Sequence, residues 1–405
     1  MTHLFSEAPV GAKRLVGLAA ATAVALLGGV GFASAQTVVK WMHVETVPAY
    51  IQVWEEIAAA YEGEHPDVDV QLQFLENEAF KAKLPTLLQS DAAPDFFYSW
   101  GGGVLRQQSE TGALKDLTEA MNADGGAWAK DYKPAALNGL TFNDKIHAVP
   151  YRMGTISFFY NKELFEKAGV KAEDIKTWDD FLQAVKTLKD AGITPIAGGG
   201  GDKWPLHFYW SYLVMRNGGQ EVFDRAKNNE GDGFLDPTII KAGEQLAELG
   251  KLEPFQGGYL GSTWPQTLGV FGDGKAAMLL GFEHTEPNQR NNAGDGKGRR
   301  AANVTRVRAV FVDLRFLTSP EQERKMAAAG MIIPAATGAE DALKNPLMRE
   351  AADQLAASTW HQNFFDQDLG PSVGRVVNDV SVEILAGQMS PEEGAQMIQD
   401  ARELD

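Results

Sequence analysis

From Val38 to Gly103 the apolar residues switch repeatedly between two spacings, and that alternation is the strongest constraint on the fold. Val38-Val39-Lys40-Trp41-Met42 is a short strand pattern that runs into the polar loop His43-Val44-Glu45-Thr46. From about Pro48, the residues Ile51, Trp54, Ile57, Ala58 and Tyr61 recur at helical spacing, and Gly63 and Pro66 end the run. Val68 to Phe74 alternates again as a strand, closed by Leu75-Glu76-Asn77. A helix with Phe80, Leu84 and Leu87 follows, and then Phe96 to Trp100 leads into Gly101-Gly102-Gly103. Strand, helix, strand, helix, strand predicts an α/β lobe with a mainly parallel sheet. Ligands of such sheets sit beyond the carboxyl ends of the strands. His43, Glu45, Glu76, Asn77 and Trp100 fall there.

The stretch Thr141 to Gly169 is where the chain turns. A Phe142-Asn143-Asp144-Lys145 turn precedes a strand pattern, Ile146 to Val149, stopped by Pro150. A second apolar run, Ile156 to Tyr160, leads through Asn161-Lys162 into an amphipathic helix, Glu163 to Ala168, capped by Gly169. A proline between two strands is a stiff crossover, read here as the first crossing between two lobes. The residues Lys145, Ile146, Val149, Pro150, Tyr151, Tyr160, Asn161, Phe165, Gly169, Thr177, Trp178 and Phe181 together resemble the extracellular solute-binding proteins of bacterial ABC importers. Within these the chain is most similar to the branch that captures oligosaccharides, the family of maltose-binding protein. The resemblance runs from about Val38 to Ala401.

That resemblance implies a two-lobed, type II-like periplasmic-binding-protein fold of class α/β. Each lobe is a central, mainly parallel sheet flanked by helices, with the ligand cleft between them. The expected division is 36–147 plus about 284–318 for lobe 1 and 148–283 plus about 319–405 for lobe 2, with crossings near 147–152, 281–286 and 316–320. The length of 405 residues suits two lobes. One departure stands out. After the strand pattern Val307 to Val312 the chain passes at once into Asp313-Leu314-Arg315-Phe316, where the family inserts a glycine-rich turn, a strand and a helix start.

Bulk features restrict the setting. The absence of cysteine excludes disulfides and thiolate metal sites. Lys13 and Arg14 precede an apolar run, Leu15 to Val30, and Ala33-Ser34-Ala35 fits a cleavage site, so residues 1–35 read as a secretory signal peptide cut after Ala35. A membrane anchor is the alternative reading of that run. The net charge is −17, and loss of Glu7, Lys13 and Arg14 makes the remainder one charge more acidic. Such a chain is a poor nucleic-acid binder and suits a soluble, monomeric protein of the periplasm.

In the second half, Thr177 with Asp180 forms a helix-capping signal, as do Ser319 and Ser390, each followed by Pro and acidic residues. A helix from about Thr238 to Leu249 precedes Gly250, placed to cap it. Gly274 to Gly281 reads as a strand leading to Phe282-Glu283-His284. Glycines 198–201 do not form a phosphate loop, because no Gly-Lys-Ser/Thr follows. Asn228 to Gly233 mimics the start of a calcium loop, but its twelfth position is Ile239, so it reads as a surface turn. Arg299, Arg300, Arg306 and Arg308 read as a solvated basic face. No metal or cofactor is expected.

The remaining candidates are side chains suited to a sugar. An indole stacks on the apolar face of a pyranose while carboxylates and amides take its hydroxyls. Trp100, Trp204, Trp210 and Trp264 lie beside Gly or Pro, or at element ends; cleft and core placement stand equal for each. Trp41, Trp54 and Trp178 read as core. Glu45, Glu76, Glu283 and Asp366 are candidate hydroxyl acceptors or plain solvated loop acids. Arg152 is a candidate donor or a hinge ion pair, and His43 a ligand contact or a structural hydrogen bonder. The resemblance implies a non-enzymatic binding component that delivers a sugar to membrane permease subunits. The rival is a secreted carbohydrate-active enzyme such as a glycosidase, for which no paired carboxylate motif is present. A scaffold or adhesion module is a third class, with no small-molecule site.

Overall fold

A computed structural model describes residues 36–45, 47–285, 304–305, 311–358 and 361–405. The signal segment 1–35, the four clustered arginines, Trp360 and residues 307–310 lie outside the described residues.

The N-terminal alternation folds as expected. β1 (Thr37–His43) pairs in parallel with β2 (Val68–Phe74) along its whole length and with β3 (Phe96–Phe97) on the other side. Helices α1 (Pro48–Glu64) and α2 (Asn77–Leu87) return the chain each time, which is what parallel neighbours require. Pro48 sits at the first helical position of α1, and Trp54, Ile57, Ala58 and Tyr61 form its buried face. The Asn143-Asp144 turn joins β4 (Thr141–Phe142) to β5 (Lys145–Ile146) as a two-residue hairpin. Both turn residues have positive φ, as such a hairpin needs.

The second sheet has the order β6, β8, β7, with β6 (Ile156–Tyr160), β7 (Thr194–Ile196) and β8 (Ala276–Phe282). It is mixed, not mainly parallel: β8 runs parallel to β7 but antiparallel to β6. The reason is connectivity. β6 enters this lobe from the first crossing and β8 leaves it toward the second, so the two must run in opposite directions. β9 (Val304–Thr305) returns to the first sheet, antiparallel to β3.

Among the described residues, three apolar clusters divide between the lobes. Two cover the first sheet, one around Trp41, Trp54, Phe96 and Ile333, the other around Met42, Phe80, Phe97 and Leu105. The third covers the second sheet and joins Phe165, Phe208, Trp210, Trp264, Phe365, Val377 and Ile398. Leu314, Leu317, Met326, Ile332, Leu343 and Met348 belong to the first sheet's cluster. Residues 319–351 therefore pack with lobe 1, not with lobe 2 as the sequence division had them. An apolar stripe records that a helix is covered, not which lobe covers it.

Local differences follow from close packing. Phe311–Leu317 is a helix, so Phe311 and Val312 are not strand as the sequence pattern had them, and the rest of that pattern lies outside the described residues. Gly250 lies inside the helix Pro237–Lys251 and does not cap it; a Cβ there would fall 2.3 Å from the Leu385 carbonyl oxygen. The glycines 198–201 serve the same purpose: Cβ atoms would meet Phe255 at 2.5 Å, Thr267 Oγ1 at 2.7 Å and Leu260 Cα at 2.9 Å. The calcium-like turn is docked by Gln399, which accepts from the Phe234 amide and donates to Asn229 Oδ1, both at 2.8 Å.

Candidate functional site

A cavity of about 1150 Å³ opens between the two sheets. Its first wall comes from loops after β2 and β3 and from the hairpin region, its second from the long helix Trp204–Lys227 and residues 361–368. The crossing Pro150 to Ile156 forms the floor.

Of the eleven candidates, Glu76, Asn77, Trp100 and Arg152 line this cavity. Glu76 also caps α2, accepting from the amides of Glu78 at 2.9 Å and Ala79 at 3.4 Å. The Trp100 ring is held edge to face by Tyr98, centroids 4.2 Å apart, and by Phe80 at 5.8 Å. The Lys81 ammonium lies 5.3 Å from its centroid.

Arg152 donates to Glu283 Oε1 at 3.1 Å and lies 3.2 Å from His284 Nδ1. Glu283 Oε2 accepts from the Thr155 amide at 3.1 Å, and its carboxylate is wholly buried. Burial alone would raise the Glu283 carboxyl pKa, but the His284 hydrogen bond and the Arg152 charge outweigh it and hold it below the usual range. Arg152 thus takes part in an ion pair with Glu283 while still lining the cavity. Glu283 is the hidden half of that pair and does not line it.

His43 and Glu45 are buried behind the first wall. The Glu45 amide donates to His43 Nδ1 at 3.1 Å, and Glu45 Oε1 accepts from the Val47 amide at 2.8 Å. They shape the turn after β1. Burial drives the His43 pKa down to about 4, so the ring is neutral at pH 7. Asp366 is likewise buried, accepting from Gln367 at 2.8 Å and Asn378 at 3.1 Å, with His207 Nε2 3.5 Å away. His207 is the member of that group that lines the cavity; its Nδ1 donates to the Trp204 carbonyl.

Trp204, Trp210 and Trp264 do not face the cleft. They are 6%, 2% and 1% exposed and belong to the second lobe's core. Trp264 packs on Trp204 at 5.3 Å and edge-on to Phe282 at 5.8 Å. Its ring fills the space over Gly281, where a Cβ would come within 2.9 Å of Cη2. Pro265, its neighbour, is the residue that lines the cavity.

Sequence reasoning missed Tyr98, Tyr151, Phe208, Tyr212, Phe364 and the polar group Lys227, Gln362 and Asp368, all of which line the cavity. Lys227 Nζ lies 2.7 Å from Asp368 Oδ2, and Gln362 donates to the same oxygen at 2.9 Å. The aromatic pair Phe364-Phe365 was a visible signal; both border the cavity, but Phe365 is 1% exposed and stacked on Phe223 at 3.6 Å, so its ring belongs mainly to the core.

The family model of bacterial extracellular solute-binding proteins matches residues 48–343. An uncharacterized ABC transporter extracellular-binding protein of Pyrococcus horikoshii is 24% identical over 233 residues, 56% of this chain and 52% of its own. The xylose/arabinose-binding protein of Haloferax volcanii is 30% identical over 171 residues, 40% of this chain and 36% of its own. The chain spans about half the length of the first of these curated relatives. Among solved structures, a chitin oligosaccharide binding protein superposes with a TM-score of 0.78 at 20% identity, covering 91% of this chain and 98% of that one. The fold is therefore the two-lobed one seen there. No helix among the described residues is long and apolar enough to cross a membrane.

Proposed function

The chain belongs to the bacterial extracellular solute-binding proteins, a family of binding proteins and not of enzymes, and from that premise we propose that it captures a sugar and hands it to an ABC importer's permease. The observation that carries this is the composition of the cavity wall. Tyr98, Trp100, Tyr151, Phe208, Tyr212 and Phe364 offer aromatic surface, with Glu76, Asn77, Gln362 and Asn363 among them for hydroxyls. That combination suits a ring with apolar faces and polar edges. Relatives named for xylose/arabinose and for melibiose, raffinose and stachyose support the same reading.

A neutral sugar fits better than an acidic one. Two cations of the wall, Arg152 and Lys227, are each already paired with a carboxylate. The lobes are proposed to divide as 36–147 with 304–358, and 156–282 with 361–405, following the apolar clusters. Secretion with cleavage after Ala35 and a monomeric periplasmic form belong to the same proposal.

A thermal-shift screen over neutral oligosaccharides, uronic acids, amino acids and polyamines, paired with a product assay, tests the proposal. A saturating neutral sugar at a hundred times its Kd raises stability by about 2.7 kcal/mol. Stabilisation by amino acids or polyamines alone, or sugar turnover without saturable binding, overturns it.

A further inference from the structure

The glycine run 101–103 is seated directly on the opposite lobe. Gly102 opens helix α3 (Gly102–Glu110), whose Leu105 is buried with Met42 and Phe97 in the first lobe. The first turn of α3 meets the junction between the helices Phe365–Asp368 and Gly370–Leu385, which belong to the second lobe's core. A Cβ on Gly103 would lie 2.6 Å from the Asp368 carbonyl oxygen and 2.6 Å from the Gly370 nitrogen. On Gly102 it would lie 2.8 Å from Asp368 Cα. These are backbone atoms, so a side chain at Gly103 forces the two surfaces apart.

Polar contacts reinforce the seat. The Asn363 side-chain amide donates to the Trp100 carbonyl at 2.9 Å. Asp368 is fixed by Lys227 and Gln362, and its Oδ1 would lie 2.9 Å from a Gly102 Cβ. A carboxylate at the start of a helix is favoured by the helix dipole. Trp100, Gly101, Gly102, Asn363 and Asp368 all line the cavity, so the contact lies at its edge.

We infer that this contact is a latch between the lobes that holds the cleft closed before any ligand arrives. Rotation about the crossings must break the Asn363–Trp100 bond and lift α3 off the Asp368–Gly370 junction. The latch makes closure a property of the protein that a ligand reinforces, so the ligand shifts a population that already exists. Glycine at 103 is required because only a bare Cα permits the backbones to meet. The inference rests on the two-lobed reading and not on the identity of the ligand.

The absence of cysteine allows a clean test. Spin labels at Gln89→Cys and Lys167→Cys, exposed positions on different lobes, report the interlobe distance by double electron–electron resonance with no sugar present. The parent protein should show mainly the short distance. Asn363→Ala should raise the long-distance to short-distance ratio roughly two- to tenfold, the worth of one hydrogen bond. Gly103→Ala should abolish the short population, with the urea midpoint of both variants near that of the parent. A parent that is mainly long-distance, or an Asn363→Ala distribution identical to the parent's, overturns the latch. So does a midpoint for Asn363→Ala that falls as far as a core truncation, which would make the contact part of the folding core. Should Gly103→Ala fail to fold, Asn363→Ala decides alone. Because no sugar enters, failure here is distinct from failure of the sugar screen.

Discussion

Trp100 and Trp264 both sit where a strand or loop gives way to a helix, yet one lines the cleft and the other is the centre of a core. The difference lies in side-chain direction. Pro265 fixes the backbone ahead of its helix, but Gly281 leaves a hollow on the inner side, and the Trp264 indole fills it. A pattern of element ends gives the location of a residue and not the direction it points, which is why four of the eleven candidates line the cavity while Glu283 and Asp366 lie buried behind or beside it. Trp100→Ala should weaken sugar binding about tenfold, the worth of roughly 1–2 kcal/mol of stacking, at nearly unchanged stability. Trp264→Ala should instead cost about 3–5 kcal/mol of stability. Calorimetric titration and urea midpoints for both variants check the pair; a Trp100→Ala protein that binds as the parent does removes Trp100 from the site. His43 gives a pH prediction. Its folded pKa of about 4 lies below the ordinary histidine value of 6.5, so its contribution is fully present above pH 6.5. It is lost as pH falls from 6.5 to about 4, because the unfolded chain takes up a proton there that the folded ring refuses. The loss totals about 3 kcal/mol at 1.36 kcal/mol per unit. His43→Gln should flatten the stability curve in that window, measured by urea unfolding at stepped pH; an equally steep curve for the variant rules His43 out as the source.

At the level of elements, most starts and stops were legible because caps are local chemistry. Thr177 with Asp180 and Ser390 with Glu393 form reciprocal capping boxes, and Gly169 closes the helix Lys162–Ala168 at φ +72°. Non-local packing was not legible. Gly250 has the look of a helix stop, but it lies within a helix so that the helix Gly370–Leu385 can approach. The aromatic run 204–210, beside a glycine loop, resembled a loop edge and is the start of the helical stretch Trp204–Lys227, which kinks at Gly219. Two glycines inside helices yield opposite signs for the same substitution. Gly250→Ala drives a Cβ onto the Leu385 backbone and should destabilise by about 1–3 kcal/mol or more, outweighing a propensity gain of under about 1 kcal/mol. Gly269→Ala, in the helix Trp264–Gly272 with nothing within 4 Å, should stabilise by up to about 1 kcal/mol. Urea midpoints of the two variants test this, and destabilisation by both would mean that the space around Gly269 is not open.

For the molecule as a whole, charge decides between ligands that shape alone admits. The chain carries a net charge of −17. Within the cleft, Arg152 is compensated by Glu283 and Lys227 by Asp368, while Glu76 and Asp224 add negative charge to the wall. A carboxylate on the ligand would meet acids whose partner cations are already engaged. Like charges at about 4 Å repel by roughly 1 kcal/mol in water and about 4 kcal/mol at the effective dielectric of a protein surface. A uronate analogue of a neutral ligand should therefore bind at least about tenfold more weakly at low ionic strength. Salt screens exposed charges over a Debye length of about 10 Å at 0.1 M and 3 Å at 1 M. The gap between the neutral sugar and its uronate should thus narrow as salt rises, while the neutral sugar's affinity stays nearly constant. Isothermal titration of both ligands at 10 mM and 500 mM salt measures this directly. A uronate that binds as tightly as the neutral sugar at low salt would mean that Arg152 leaves Glu283 to meet it, and the cleft would then be one for acidic sugars.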